Sequence, residues 1–292
     1  MSRFSAINLA QLPPPQLIET LDFERVLADL KDFVRLKLTE EGSSLFDTLN
    51  LESDPIVKIL EVVAYRETLL RALVNDKAKA VLLAFAIGTD LDQIGALYAV
   101  ARMVEGGVTE DDERFRRRIA LAPEAFSVAG PAGAYEFHAL TLSLGISDAH
   151  AFTPSAESGK VTLVLAGDDG EDVSDATLSG VVTTLDRDNV VPLTDVVTVV
   201  RANRVMFDVT AVLTIPRGPD PFLLVEKAKQ AIRDYAKGQY RIGTEVFSSG
   251  LIAAAKVGGV DDVVLSLPAA NVVCGDTDIA VLDQLKVTAN VV

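Results

Sequence analysis

The chain has 292 residues, 49% of them apolar, and a formal net charge of −15, which argues against a surface built to neutralise nucleic-acid phosphates. One Cys and two His exclude a disulfide-stapled scaffold and leave little material for thiol or zinc chemistry. No apolar run reaches membrane-spanning length and the N-terminal MSRFSAINLAQLPPP lacks the apolar centre of a signal peptide, so synthesis in the cytosol with no membrane span is expected.

Residues 1–19 read as an extended arm stiffened by Pro13, Pro14 and Pro15. A helix capped by Thr20 or Asp22 follows, with Phe23, Val26, Leu27, Leu30, Phe33 and Val34 on one face. Gly42 breaks that pattern, and Phe46, Leu49 and Leu51 read as anchors in a short connecting helix. Ser53 or Asp54, followed by Pro55, has the order of a helix start. From there the spacing predicts one long helix to about Ala86, weakest near Asn75. Its apolar residues cover more than the stripe of about 100° that a lone surface helix needs. That breadth points to cover from elsewhere, and so to assembly. Thr89 or Asp90 caps the next helix, which is expected to pack through Leu91, Ile94, Leu97 and Tyr98. The helical domain, residues 20–106, closes at Gly106-Gly107, read as a hinge.

The next domain, residues 107–202, opens on a helix capped by Thr109, with Phe115, Ile119 and Leu121 on its apolar side and Arg114, Arg116, Arg117 and Arg118 on the other. That arginine cluster is a solvated helix end, a contact for an acidic protein neighbour or, last, a phosphate contact. Helix, strand (145–152), strand (160–166), helix (174–186) and strand (196–200) follow. Residues 203–292 repeat the plan: a strongly alternating strand over 205–215, helices over 221–237 and 249–256, a strand over 260–267, and a final hairpin or edge pair at 278–280 and 285–288. The fold class is α+β, an N-terminal helical bundle segment followed by two small tandem α+β domains. Both modules leave a helix through glycine into a strand, at Gly145-Ile146-Ser147-Asp148 and Gly259-Val260-Asp261-Asp262.

No constellation for catalysis emerges. No Gly-rich loop has phosphate-binding spacing. His138 and His150 lack companions for a zinc set, Cys274 has no identifiable activator, and the acidic run Asp168 to Asp172 does not match a calcium-loop spacing and reads as a solvated turn. No cofactor or metal is expected.

The run SDPIVKILEVVAYRE from Ser53 to Glu67, then Arg71, Asn75 and Ala78 to Ala80, then GTDLDQIGALY from Gly88 to Tyr98, resembles the N-terminal signature of the phage baseplate assembly protein J family. Family members often carry glycine before the hydrophobic residue and Arg that close the signature; here Ala99 precedes Val100, Ala101 and Arg102, and the helix is expected to run on slightly. Ile242-Gly243, Ser249, Gly259-Val260 and Pro268 agree in order in the C-terminal half. The resemblance implies a structural wedge component of a contractile-tail baseplate, in a phage or phage-tail-like particle assembled in the bacterial cytoplasm. It implies no enzyme activity. The partners it implies are a second wedge protein similar to phage tail protein I, a lysozyme-like sheath-initiating wedge protein, neighbouring copies in a sixfold ring, and a central hub or spike. On that reading Phe23, Leu27, Phe46, Ile56, Ile59, Leu60, Val63, Leu70 and Leu73 bundle with the partner, and the cluster Arg114, Arg116, Arg117 and Arg118 meets an acidic neighbour. Gly106-Gly107 and Asn203-Arg204 are then the flex points between two ring arrangements. A scaffold or adaptor unrelated to tails is the alternative, followed by an enzyme whose site forms only in three dimensions.

Overall fold

A computed structural model describes residues 12–13, 21–40, 45–127, 129–155, 159–185, 191–192, 194–218 and 220–292, with backbone alone for 38–40 and 45–47. Most of the N-terminal arm, Thr20 and Gly42 lie outside the described residues, as does the side chain of Phe46. The chain forms two compact units, a helical one ending at Leu97 and a mixed one starting at Tyr98.

In the helical unit, α1 (Phe23–Glu40) starts at Asp22, whose carboxylate accepts from the Arg25 N–H at 3.1 Å. A 3₁₀ turn, Leu45–Asn50, inserts Leu49 fully into the core. Asp54 then caps α2 (Pro55–Ala80) by accepting from Ile56 N–H at 2.7 Å, and Pro55 occupies the first turn, where its missing donor costs nothing. The helix ends six residues before the expected Ala86. Past Ala80 the bonds tighten to Leu82 N–H on Lys79 O and Phe85 N–H on Leu82 O, so an apolar run without Gly or Pro still leaves the α-helix. The third helix, α3 (Gly88–Leu97), buries Leu91 and Gly95 but leaves Leu97 82% exposed, against the expectation that Leu97 packs inward. It does not run on: by Ala99 the backbone has already turned, with φ 56°, in the left-handed region.

 The turn lies two residues past Leu97, the last residue of α3.

The mixed unit opens on a hairpin, β1 (Val104–Glu105) and β2 (Val108–Thr109), whose turn is Gly106-Gly107. Both glycines have positive φ, 59° and 83°, as a two-residue hairpin turn of the primed type requires. This corrects the hinge reading. The chain enters and leaves such a turn side by side, so bending it moves only the hairpin tip. Asp111, not Thr109, caps α4 (Asp112–Ala125), accepting from the N–H groups of Glu113 and Arg114. Next come α5 (Ala132–Leu142), β3 (Asp148–Phe152), β4 (Lys160–Ala166), α6 (Asp175–Leu185) and β5 (Val196–Arg201). They form a sheet of order β3-β4-β5, antiparallel then parallel, with its core between β4 and the helices at Leu163, Leu165, Tyr135, Leu140 and Val181.

The second module follows with one intervening residue, Ala202. Its strands are β6 (Asn203–Ile215), β7 (Asp262–Leu267) and β8 (Asp278–Val291), in order β7-β6-β8; α7 (Pro221–Gly238) and α8 (Ser248–Ala255) cover one face. Again the central strand has one antiparallel and one parallel neighbour, reached by a different chain order. The expected terminal hairpin is one strand of 14 residues, β8, parallel to β6. Its alternation slips because Phe207 faces Leu282 whereas Val209 faces Leu285, so β8 carries one extra residue. The Asp208 carboxylate accepts the Gln284 N–H of that bulge at 3.1 Å.

The two modules share a buried seam. Val164, Ala166 and Ala202 pack with Ile242, Ile279 and Val281. Asn203 N–H bonds Thr277 O at 2.8 Å and Ala202 N–H bonds Leu165 O at 2.8 Å, so Asn203-Arg204 is the start of a paired strand and no open joint.

Candidate assembly surfaces

The apolar residues of α2 divide into two faces. Val57, Leu60 and Ala64 pack inward with Val26, Leu27 and Leu49, supported by Phe23, Leu30 and Val34. Leu27 and Leu60 are therefore spent on the unit's own core, each 8% exposed, which corrects their assignment as partner contacts; Phe23 is half-buried against the same core. Ile56, Ile59, Val63, Leu70 and Leu73 all lie open to solvent, the most exposed, Ile59, at 64%. With Arg66 they fall at alternating steps of three and four residues, the spacing of a seam between helices. Val62, Leu69 and Val74 widen this face, and Phe33 and Leu36 of α1 are exposed as well. The sequence pattern locates the apolar residues of α2 but does not say which α1 covers, because both faces satisfy helical spacing.

The four arginines of α4 stand differently from one another. Arg118 is buried, 1% exposed, and its guanidinium donates to both carboxylate oxygens of Glu110, at 2.8 and 2.6 Å, and to Ala101 O at 2.7 Å. Arg114 also pairs with Glu110 and donates to Leu140 O at 2.6 Å and Ser143 O at 2.8 Å, satisfying carbonyls at the end of α5. Arg117 pairs with Asp148, whose other oxygen accepts the Ile242 N–H of the second module at 2.7 Å. Arg116 pairs with Glu113 at 3.2 Å. The cluster thus works inside the chain: three of its members hold the hairpin, α5 and the seam to α4, which corrects the reading of a charged contact surface. A signal for this was present. Arg118 lies three residues after Phe115 and four before Ala122, on the apolar stripe of α4.

Glu110 is the hub of this network. Burial pushes its carboxyl up, but the Arg118 hydrogen bond, the Met103 N–H and the charges of Arg118 and Arg114 hold it below the ordinary carboxylate value. Arg102 closes the outer side, donating to Glu110 O at 2.8 Å, pairing with Asp112 at 2.7 Å and lying 4.7 Å from the centre of the Phe115 ring.

The acidic run also has a structural place. Asp169 pairs with Lys237 at 2.9 Å, and Gly170, φ 74°, lies so close to Val281 that a side chain there would collide with it. The turn is therefore one wall of the seam between modules. Burial pushes the Cys274 thiol up, away from the thiolate that a nucleophile needs. His138 is lowered by burial, and His150 lies 3.3 Å from Glu136. Among the described residues no group of three or more His, Cys, Asp or Glu is placed to hold a metal, and no helix is long and apolar enough to cross a membrane.

Three family models match the chain in order: the Baseplate J-like N-terminal domain over residues 52–106, the Baseplate J-like central domain over 127–201, and the Baseplate J-like protein C-terminal domain over 207–288. Baseplate protein J of Escherichia phage P2 is 35% identical over 293 residues, spanning 96% of this chain and 97% of that protein.

Proposed function

The chain belongs to the baseplate J-like family, and we propose that its exposed α2 face is the seam by which it joins a second wedge protein. Its general role follows from the family: it is a structural, non-catalytic component of a phage-type tail baseplate. The finer reading places it in the wedge, with a helical partner similar to phage tail protein I and a lysozyme-like sheath-initiating protein bracing the pair. Neighbouring copies meet through the mixed unit in a sixfold ring around a central hub or spike. Assembly takes place in the bacterial cytoplasm before the subunit is built into the particle.

The observation that carries this reading is the α2 face. Five apolar side chains in a helical seam, Ile56, Ile59, Val63, Leu70 and Leu73, stand exposed in the chain by itself. Contiguous apolar surface of this kind marks an interaction site, and a heptad-like seam is covered best by another helix. The ring further requires surfaces that close on themselves around an axis. Two arrangements of that ring, close in energy, would couple host contact to sheath contraction.

The test is co-expression with the products of the neighbouring tail genes, followed by native mass measurement. The wild-type chain should purify in a hetero-complex, and the pair Ile59→Asp and Leu70→Asp should release it, folded and free of the partner. Retention of the complex by that folded variant would remove α2 from the interface.

A further inference from the structure

The second sheet ends in a strand edge that nothing described in the chain covers. β8 is the last strand of the order β7-β6-β8. From Leu285 to Val291 it pairs with β6 without interruption, and Val292 N–H bonds Ile215 O, with Ile215 facing Val291. That register turns the N–H and C=O groups of Leu285, Val287, Ala289 and Val291 away from β6, toward the open side. Edges of this kind are commonly blunted by proline, inward charge or a bulge. Here the bulge is behind, at Asp283-Gln284, and the paired stretch beyond it, Leu285 to Val291, holds no proline and one charged side chain, Lys286.

We propose that this edge pairs with the same edge of a second copy, antiparallel about a twofold axis at Thr288, joining two three-stranded sheets into one of six. Two features select a second copy. The chain carries 42 acidic residues against 27 basic ones, yet none of the acids lies between Gln284 and Val292, so two copies repel least along this edge. The segment is also complementary to itself. Pairing about Thr288 sets Leu285 beside Val291, Val287 beside Ala289, and Lys286 beside Asn290, never lysine against lysine. The outward-facing pairs 285/291 and 287/289 are then the hydrogen-bonded ones, and half-exposed Val291 gains an apolar neighbour.

Single cysteines in a Cys274→Ser background of the full chain read this register. In Thr288→Cys the two thiol-bearing residues sit at a non-hydrogen-bonded pair with Cα atoms about 4.5 Å apart, within disulfide reach. In Lys286→Cys they are separated by four residues of strand rise, about 14 Å, beyond it. Mild oxidation should therefore convert Thr288→Cys to a covalent dimer of twice the chain mass and leave Lys286→Cys without a cross-link, while Lys286→Cys/Asn290→Cys cross-links. Adding Ala289→Pro, which deletes an outward N–H at a position where an edge strand tolerates proline, should abolish the Thr288→Cys dimer with the circular dichroism unchanged; Val291→Lys serves the same purpose if the proline unfolds the chain. Cross-linking at equal rates from 286 and 288, or none from 288, overturns the proposal. The readout is confined to the β8 edge, so it stands or falls separately from the α2 seam.

Discussion

At Ala99 the backbone takes φ 56°, a conformation that crowds the Cβ of any L-residue. The substitution Ala99→Gly should raise stability by roughly 0.5–1 kcal/mol, the strain relieved less the added freedom of the unfolded chain; the urea midpoint checks it. A lower midpoint would mean that the alanine is unstrained. The departure from glycine was legible in the sequence, but its consequence was not, since a helix that runs on and one that turns sharply read alike through Leu97 and Tyr98. Glu110 is the second decisive residue. Because its folded-state carboxyl titrates below the ordinary value, the stability it contributes is complete above that value and is lost as pH falls through the lower one. Glu110→Gln leaves Arg118 buried beside a neutral group and should cost about 3–5 kcal/mol at neutral pH. The gap between wild type and variant should narrow as the pH falls below the ordinary carboxylate range. A gap independent of pH would show that the variant acts through shape alone. Charge alone suggests solvent for Arg118, whereas its helical spacing from Phe115 places it on the core side, where it is buried.

Helix α2 is an element with two apolar faces and one use for each. Leu60→Ala, on the face turned to α1, should destabilise the helical unit by about 2–5 kcal/mol. Ile59→Asp, on the open face, should change the stability of the isolated chain by no more than about 0.5 kcal/mol and weaken capture of the partner. Chemical denaturation of both variants, followed by the α-helical circular dichroism signal, separates these outcomes; equal losses would place Ile59 in the internal core. The extent of α2 was read from its cap and its periodicity, but its end at Ala80 carries no Gly or Pro signal. Alternation alone splits strand β8 into two pieces for a related reason: a bulge shifts the period of two by one residue, and the pairing with β6 that absorbs the shift is remote in sequence.

At the scale of the molecule, the two sheet modules are joined by a shared apolar seam and by Asp148, which holds Arg117 of the first module and the Ile242 N–H of the second. They are therefore expected to unfold together. Ile279→Ala should cost about 2–5 kcal/mol and lower hydrogen-exchange protection in β4 and β6 alike; loss confined to β6 would show independent modules. The tandem α+β plan was legible from alternation and turn residues, whereas the seam was not, since it is built from the second faces of strands whose first faces already account for the pattern.

The central claim is that the open face of α2 is covered by another chain in the assembled baseplate. A reconstruction of the intact particle at side-chain resolution tests it directly. The account predicts that Ile59, Val63, Leu70 and Leu73 lie against helices of a second wedge protein. The same four side chains facing solvent in the assembled baseplate would contradict it.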